Sequence, residues 1–152
     1  MSSKKILSIA SDHGGFSLKS KIIEALSAEF QFIDEGPSNA DSVDYPDFAL
    51  KVCEDVNSKK ADLGVLICTT GIGMSISANK VKGIRAALCH NEDGGKFSRL
   101  HNNANVLCLG AKYVGGALGE KIVRIFASTE FEGGRHERRV GKMNDIENCS
   151  CD

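Results

Sequence analysis

The sequence predicts an α/β fold, a five-stranded parallel sheet with helices on both faces. Three observations lead there. Short apolar runs alternate with segments of helical periodicity, and glycine or proline stands at most of the junctions. The run at residues 61–68 (ADLGVLIC) is apolar without alternation, as expected of a central strand covered on both sides. A length of 152 residues suits one domain, 1–152, with one core. Its 41% apolar and 26% charged residues describe a folded chain rather than a disordered one.

Residues 5–10 (KILSIA) are the first strand, followed by the loop Ser11-Asp12-His13-Gly14-Gly15. Phe16, Ile22, Ile23, Leu26 and Phe30 recur near helical spacing and predict a helix over 16–30. Residues 31–34 are a brief second strand, and 35–44 a polar stretch containing Pro37. Pro46 suits a helix start, and Phe48, Ala49, Val52 and Val56 give that helix its apolar face. After the third strand, 61–68, comes the tight loop Thr69-Thr70-Gly71-Ile72-Gly73 and a helix over 74–80. A fourth strand (84–89), a helix (92–102) and a fifth strand (105–110) follow. The helix at 116–128 turns Leu118, Ile122, Ile125 and Phe126 inward; Glu132-Gly133-Gly134 breaks the pattern before a polar helix at 137–148. Residues 148–152 are expected to form a flexible tail. The expected strand order is the doubly wound 2-1-3-4-5, which puts a ligand crevice between strands one and three. The two unusual loops, 11–15 and 69–73, leave those two strands.

Composition narrows the function. A net charge of -1 offers no basic field for nucleic acid or an anionic membrane. No apolar run approaches the ~20 residues of a membrane span, and the N-terminus lacks a signal-peptide pattern, so a cytoplasmic protein is expected. The six cysteines are then free thiols. A thiol-redox protein would want Cys-x-x-Cys near a strand end, which is absent. Cys149-Ser150-Cys151 stands in the polar tail without further metal ligands nearby in sequence.

Several residues carry chemical potential. The 69–73 loop leads into a helix whose first N–H groups and dipole can hold a phosphate, a carboxylate or an oxyanion, or it is simply a tight turn. Cys68 ends the strand before it, either a nucleophile or base near a helix N-terminus or a small buried hydrophobe. Cys89 and Cys108 fit the latter description. Asp12 and His13 place an acid and an imidazole at the neighbouring strand end. His101 stands near a helix end, where it can act as a C-cap. Arg135 and Arg139 are four apart, on one helix face, suited to phosphate or to solvent.

Taken together, these segments resemble the type B ribose-5-phosphate isomerases and their galactose-6-phosphate isomerase relatives. The matching pieces include Ser11-Asp12-His13-Gly14-Gly15, Asp44-Tyr45-Pro46, Ile67-Cys68-Thr69-Thr70-Gly71-Ile72-Gly73, Gly83-Ile84-Arg85-Ala86, Arg99-Leu100-His101-Asn102 and Gly133-Gly134-Arg135-His136-Glu137-Arg138-Arg139-Val140, in family order over most of the chain. The resemblance implies a Rossmann-like three-layer sandwich that interconverts ribose 5-phosphate and ribulose 5-phosphate through a cis-enediolate, in the non-oxidative pentose phosphate pathway. It implies no metal or nucleotide cofactor. It also implies a homodimer, or a pair of dimers, with active sites shared across the subunit interface.

The resemblance assigns Cys68 as the base, His101 to ring opening and Asp12 to the sugar hydroxyls. Thr70 and the amides around Gly71 and Gly73 match an anion hole, and Tyr45 and Asn102 match substrate contacts. His13, Arg135 and Arg139 match phosphate contacts, the arginines coming from a neighbouring subunit. Two departures stand out. Thr69 replaces the usual glycine after the catalytic cysteine, and Lys112 stands where an arginine often meets phosphate. A hexose 6-phosphate isomerase on the same scaffold is the alternative substrate reading, to be decided by pocket depth around Thr69 and residues 35–44. A phosphosugar-binding protein with a decayed site is the non-enzymatic one; the retained Cys68, Thr70, His101, Arg135 and Arg139 argue against it.

Overall fold

The structure, a computed structural model, describes residues 3–149. Cys151 and most of the expected tail lie outside those residues. The elements in chain order are β1 (Ile6–Ser11), a single 3-10 turn (His13–Gly15), α1 (Phe16–Leu26), β2 (Gln31–Gly36), α2 (Tyr45–Asn57), β3 (Leu63–Cys68), α3 (Ile72–Asn79), β4 (Ala86–Leu88), α4 (Glu92–Leu100), β5 (Val106–Gly110), α5 (Ala117–Ser128) and α6 (Arg135–Glu147). Among the described residues no helix is long and apolar enough to cross a membrane.

The five strands form one parallel sheet in the order β2-β1-β3-β5-β4. This corrects the expected 2-1-3-4-5, because β5 enters between β3 and β4. Burial explains the exchange. All five residues of β5 are buried, so it needs a neighbour on each side and a helix layer on each face. The fourth strand shrinks from the expected 84–89 to three half-buried residues, and such a short strand makes an acceptable sheet edge. The crevice between β1 and β3 survives the correction, since those strands remain neighbours.

Period-two alternation divides the core in two. Leu7, Ile9, Val65, Ile67, Leu107 and Leu109 face α1 and α5, meeting Ile22, Leu26, Ile122 and Phe126. Ala10, Leu66, Cys68, Val106 and Cys108 face α2 and α3, meeting Val52, Cys53, Met74 and Ala78. Each fully buried aliphatic or aromatic side chain contributes about 1.5–3 kcal/mol. The six-residue run of β3 is buried throughout because both layers cover it.

Three polar anchors position the loops. Lys19, on α1 and 1% exposed, donates from Nζ to Asp34 Oδ1 and to the Pro37 carbonyl, each at 2.7 Å, tying the loop after β2 to α1. Buried Arg99, on α4, donates from Nε to the Thr129 carbonyl at 3.1 Å and from Nη1 to the Ala104 carbonyl at 2.6 Å. It thereby fixes the end of α4 against the segment after α5. Ser8 Oγ donates to Asp55 Oδ2 at 2.8 Å, joining β1 to α2 beneath the sheet surface. The last helix opens at Arg135, earlier than the expected 137, because the turn at Gly133 and Gly134 is complete by then.

Candidate active site

The carboxyl ends of β1 and β3 lie side by side, with Ser11 paired to Ile67. The Asp12 amide donates to the Ile67 carbonyl at 3.0 Å, and Asp12 Oδ1 accepts from the Gly15 amide at 3.0 Å. Asp12 is therefore locked by the turn it caps, and its 7% exposure faces the crevice. Opposite it, Cys68 is 5% exposed, and its Sγ accepts from the Gly71 amide at 3.1 Å. The loop beyond is clamped from the β5 side. The Ala111 amide donates to the Cys68 carbonyl at 2.9 Å and the Lys112 amide to the Thr69 carbonyl at 3.0 Å. This clamp exists because β5, not β4, lies beside β3.

Gly71 caps α3 with φ +79°, a left-handed conformation costly to other residues. A Cβ there would also lie 2.5 Å from Leu88 Cδ1. The first-turn amides of α3 lack intrahelical acceptors, so its start can hold an anion. The Ile72 amide is partly satisfied by Thr70 Oγ1 at 3.3 Å. Tyr45 lies over this start: a Cβ on Gly73 would sit 2.6 Å from its Cζ, so only glycine leaves the ring its place.

The cleft has two chambers that share Asp12, Tyr45 and Thr69. The inner one, about 410 Å³, is lined by Cys68, Thr70, Gly73 and the apolar Ile72 and Ile76. The outer one, about 710 Å³, opens past His13, Val43, Asp44, Pro46 and Asp47. Asp12, His13, Tyr45, Cys68, Thr70, Gly71 and Gly73 are thus brought together. Lys112 contributes its amide to the loop, while its side chain is exposed with Nζ 5.8 Å from the Tyr113 ring centre.

His101, Asn102, Arg135 and Arg139 lie elsewhere. In β5, Gly110 pairs with Cys68, whereas Val106 pairs with Gly64 at the opposite end of β3. His101 caps α4 just before β5 begins, so the length of β5, at about 3.3 Å per residue, separates it from Cys68 of the same chain. There His101 stacks on His136, ring centres 4.1 Å apart at 16°. Glu132 Oε2 is 3.8 Å from Nε2 of each. Arg135 and Arg139 are exposed and, among the described residues, form no ion pair. Burial pushes the His136 imidazole below its ordinary pKa; His101 and the two arginines add to this, while Glu132 opposes it.

The other core thiols are unsuited to base chemistry. Burial pushes Cys53 up to about 12, and raises Cys89 and Cys108 as well. Sequence reasoning missed Val43, Asp47 and Ile76 as cleft walls, for which no motif signal exists. It took Glu132 only as a helix breaker, though its four-residue spacing from His136 was visible. Among the described residues His101, Glu132 and His136 are the group whose ligand atoms could meet on a metal, all lying within 4.8 Å of one another.

Residues 7–143 match the model of the ribose/galactose isomerase family. The chain is 40% identical to the ribose-5-phosphate isomerase B of Escherichia coli (strain K12) over 144 residues, 94% of this chain and 97% of that one. Its fold superposes on the ribose-5-phosphate isomerase B of Clostridium thermocellum with a TM-score of 0.92 and 50% identity, covering 94% and 97% of the two chains. The ribose-5-phosphate isomerase B of Mycoplasma genitalium, solved with bound ribulose-5-phosphate, gives a TM-score of 0.90 at 45% identity, covering 95% and 97%.

Proposed function

The chain belongs to the ribose/galactose isomerase family, and on that footing we propose that it interconverts ribose 5-phosphate and ribulose 5-phosphate. One observation carries the mechanism: Cys68 stands buried at the β1–β3 crevice, facing Asp12, with a clamped loop and a helix start beside it. The Cys68 sulfur removes the C2 proton of the open-chain aldose, and the electron pair moves onto the carbonyl oxygen to give a cis-enediolate. A proton passes from the C2 hydroxyl to the C1 oxygen, and returning the first proton at C1 yields the ketose. Thr70 and the amides around Gly71 and Gly73 stabilise the developing oxyanion, each good donor being worth about 2.7–4 kcal/mol. Asp12 and Tyr45 hold sugar hydroxyls, and the phosphate lies toward His13 in the outer chamber. The apolar wall of Ile72 and Ile76 limits water at the reacting carbons. These side chains carry the proton transfers with no cofactor in the scheme.

Ring opening is assigned to His101, phosphate capture to Arg135 and Arg139, and a substrate contact to Asn102. The distance between these residues and Cys68 of their own chain supports a homodimer, alone or paired, in which each subunit completes the other's cleft. Two guanidinium groups on one exposed helix face, without an ion pair among the described residues, suit bidentate binding of the phosphate of a neighbour's substrate. Lys112, whose amide closes the clamp, is assigned to the same phosphate.

Proton NMR in D₂O tests the reading. Ribose 5-phosphate is expected to yield ribulose 5-phosphate with deuterium incorporated at the transferred position, faster than allose 6-phosphate or galactose 6-phosphate react. A faster hexose phosphate would keep the mechanism and change the substrate. No turnover of any of the three by folded, reduced protein would reject the isomerase.

A further inference from the structure

We propose that His101, Glu132 and His136 form a binding site for a first-row divalent transition-metal ion, with Zn²⁺ as the type. Two imidazole nitrogens and a carboxylate oxygen are the donor set of such ions, whereas Ca²⁺ and Mg²⁺ prefer oxygen alone. Glu132 Oε2 lies 3.8 Å from Nε2 of both histidines, beyond hydrogen-bond length to either. Among the described residues none of the three side chains takes part in a hydrogen bond. Three ligand atoms outside any hydrogen bond therefore lie within 4.8 Å of one another. With bonds of about 2.0–2.1 Å, a tetrahedral ion sets its ligand atoms roughly 3.3 Å apart, so each nitrogen–oxygen separation closes by about half an ångström.

The backbone holds the three together. The Glu132 amide donates to the Leu100 carbonyl at 3.1 Å, placing the carboxylate next to His101. The His136 amide donates to the Gly133 carbonyl at 3.1 Å across a turn whose two glycines have φ of 72° and 57°. A Cβ on either glycine would meet nothing within 4 Å, so the turn itself is what requires them. The His136 side chain is 11% exposed and fixed, while Glu132 at 57% and His101 at 38% are free to adjust. The stacked rings are nearly parallel, so His101 must turn about its Cβ–Cγ bond to aim its lone pair at the ion. One coordination position remains for water.

A functional consequence rests on the role given to His101 above: an ion on its Nε2 withdraws the imidazole from ring opening, so the metal is a reversible inhibitor. The full-length oligomer carrying Cys149→Ser and Cys151→Ser, so that tail thiols do not compete, is titrated with Zn²⁺ by equilibrium dialysis and with Co²⁺ by visible absorption. One ion per chain is expected, with cobalt bands of a nitrogen–oxygen site and no sulfur-to-metal charge transfer. Glu132→Gln, a change at an exposed carboxylate, should weaken binding beyond the about 10–100-fold that loss of an outer-shell partner costs. His136→Gln should do the same. Chelator-reversible inhibition by Zn²⁺ should disappear in Glu132→Gln. Binding unaltered by both substitutions, a thiolate charge-transfer band, or no binding at micromolar Zn²⁺ would overturn the site. Because dialysis and the cobalt spectrum do not need turnover, the site stands or falls separately from the isomerase reading.

Discussion

Gly71 concentrates two constraints in one residue. Its φ is +79°, and a Cβ would lie 2.5 Å from Leu88 Cδ1 and 2.9 Å from the Leu109 carbonyl carbon. Gly71→Ala is expected to cost about 1–3 kcal/mol of stability and to move the amide that bonds Cys68 Sγ, lowering kcat; thermal unfolding and steady-state kinetics check both. Cys68→Ala removes only the sulfur from a buried position. It should keep the fold and phosphosugar binding and lose about 10²–10⁴-fold in turnover, measured by calorimetry beside the NMR assay. Glu35 offers a pH test. Burial lifts its carboxyl above the usual 4.5, assisted by the hydrogen bond and charge of Asp55 and opposed by Lys60 and Lys51. A raised folded-state value means that its favourable contribution is complete below 4.5 and is lost as pH rises through the folded value. Glu35→Gln should therefore unfold at a higher temperature than the parent at neutral pH, and the gap should close as pH falls below 4.5.

Among the elements, α1 and β2 are joined by Lys19, a buried cation that serves the cleft indirectly. Asp34 is 45% exposed and can be solvated once its partner is gone, but the Pro37 carbonyl loses its donor. Lys19→Met should cost about 1–3 kcal/mol and loosen the segment leading to Val43 and Tyr45. A rise in KM larger than the fall in kcat would separate this wall effect from damage to the inner chamber. The same scale shows what the sequence could reveal. β3 and β5 were legible because unbroken apolar runs need cover on both faces. The loops at Asp12 and Cys68 were legible as one crevice because they end strands that stay neighbours. Strand order was not, since it is a long-range choice; 84–89 (IRAALC) and 105–110 (NVLCLG) are both largely apolar, and only Arg85 inside the first marks it as the less covered strand. The resemblance named His101 and Cys68 as one site without saying which strand end each occupies. The alternation itself does: a residue after a helix and before a strand lies at the end opposite to one that follows a strand.

At the scale of the molecule, that opposition makes the isomerase testable by mixing. In the proposed homodimer, Cys68→Ala and His101→Asn should each leave the protein nearly inactive. After co-refolding in equal amounts, random pairing makes half of the dimers mixed, each with one intact cleft of two, so about a quarter of parental activity should return. No recovery after verified subunit exchange would place both residues in the same chain's site. The central position of β5 has a last consequence, for biosynthesis. Until residues 106–110 leave the ribosome, β4 has no partner and one backbone edge of β3, the most apolar strand, remains open. An open apolar edge invites pairing with other chains. Nascent polypeptides stalled before residue 106 should therefore engage chaperones or self-associate, whereas those stalled after α5 is free of the exit tunnel should have the sheet closed.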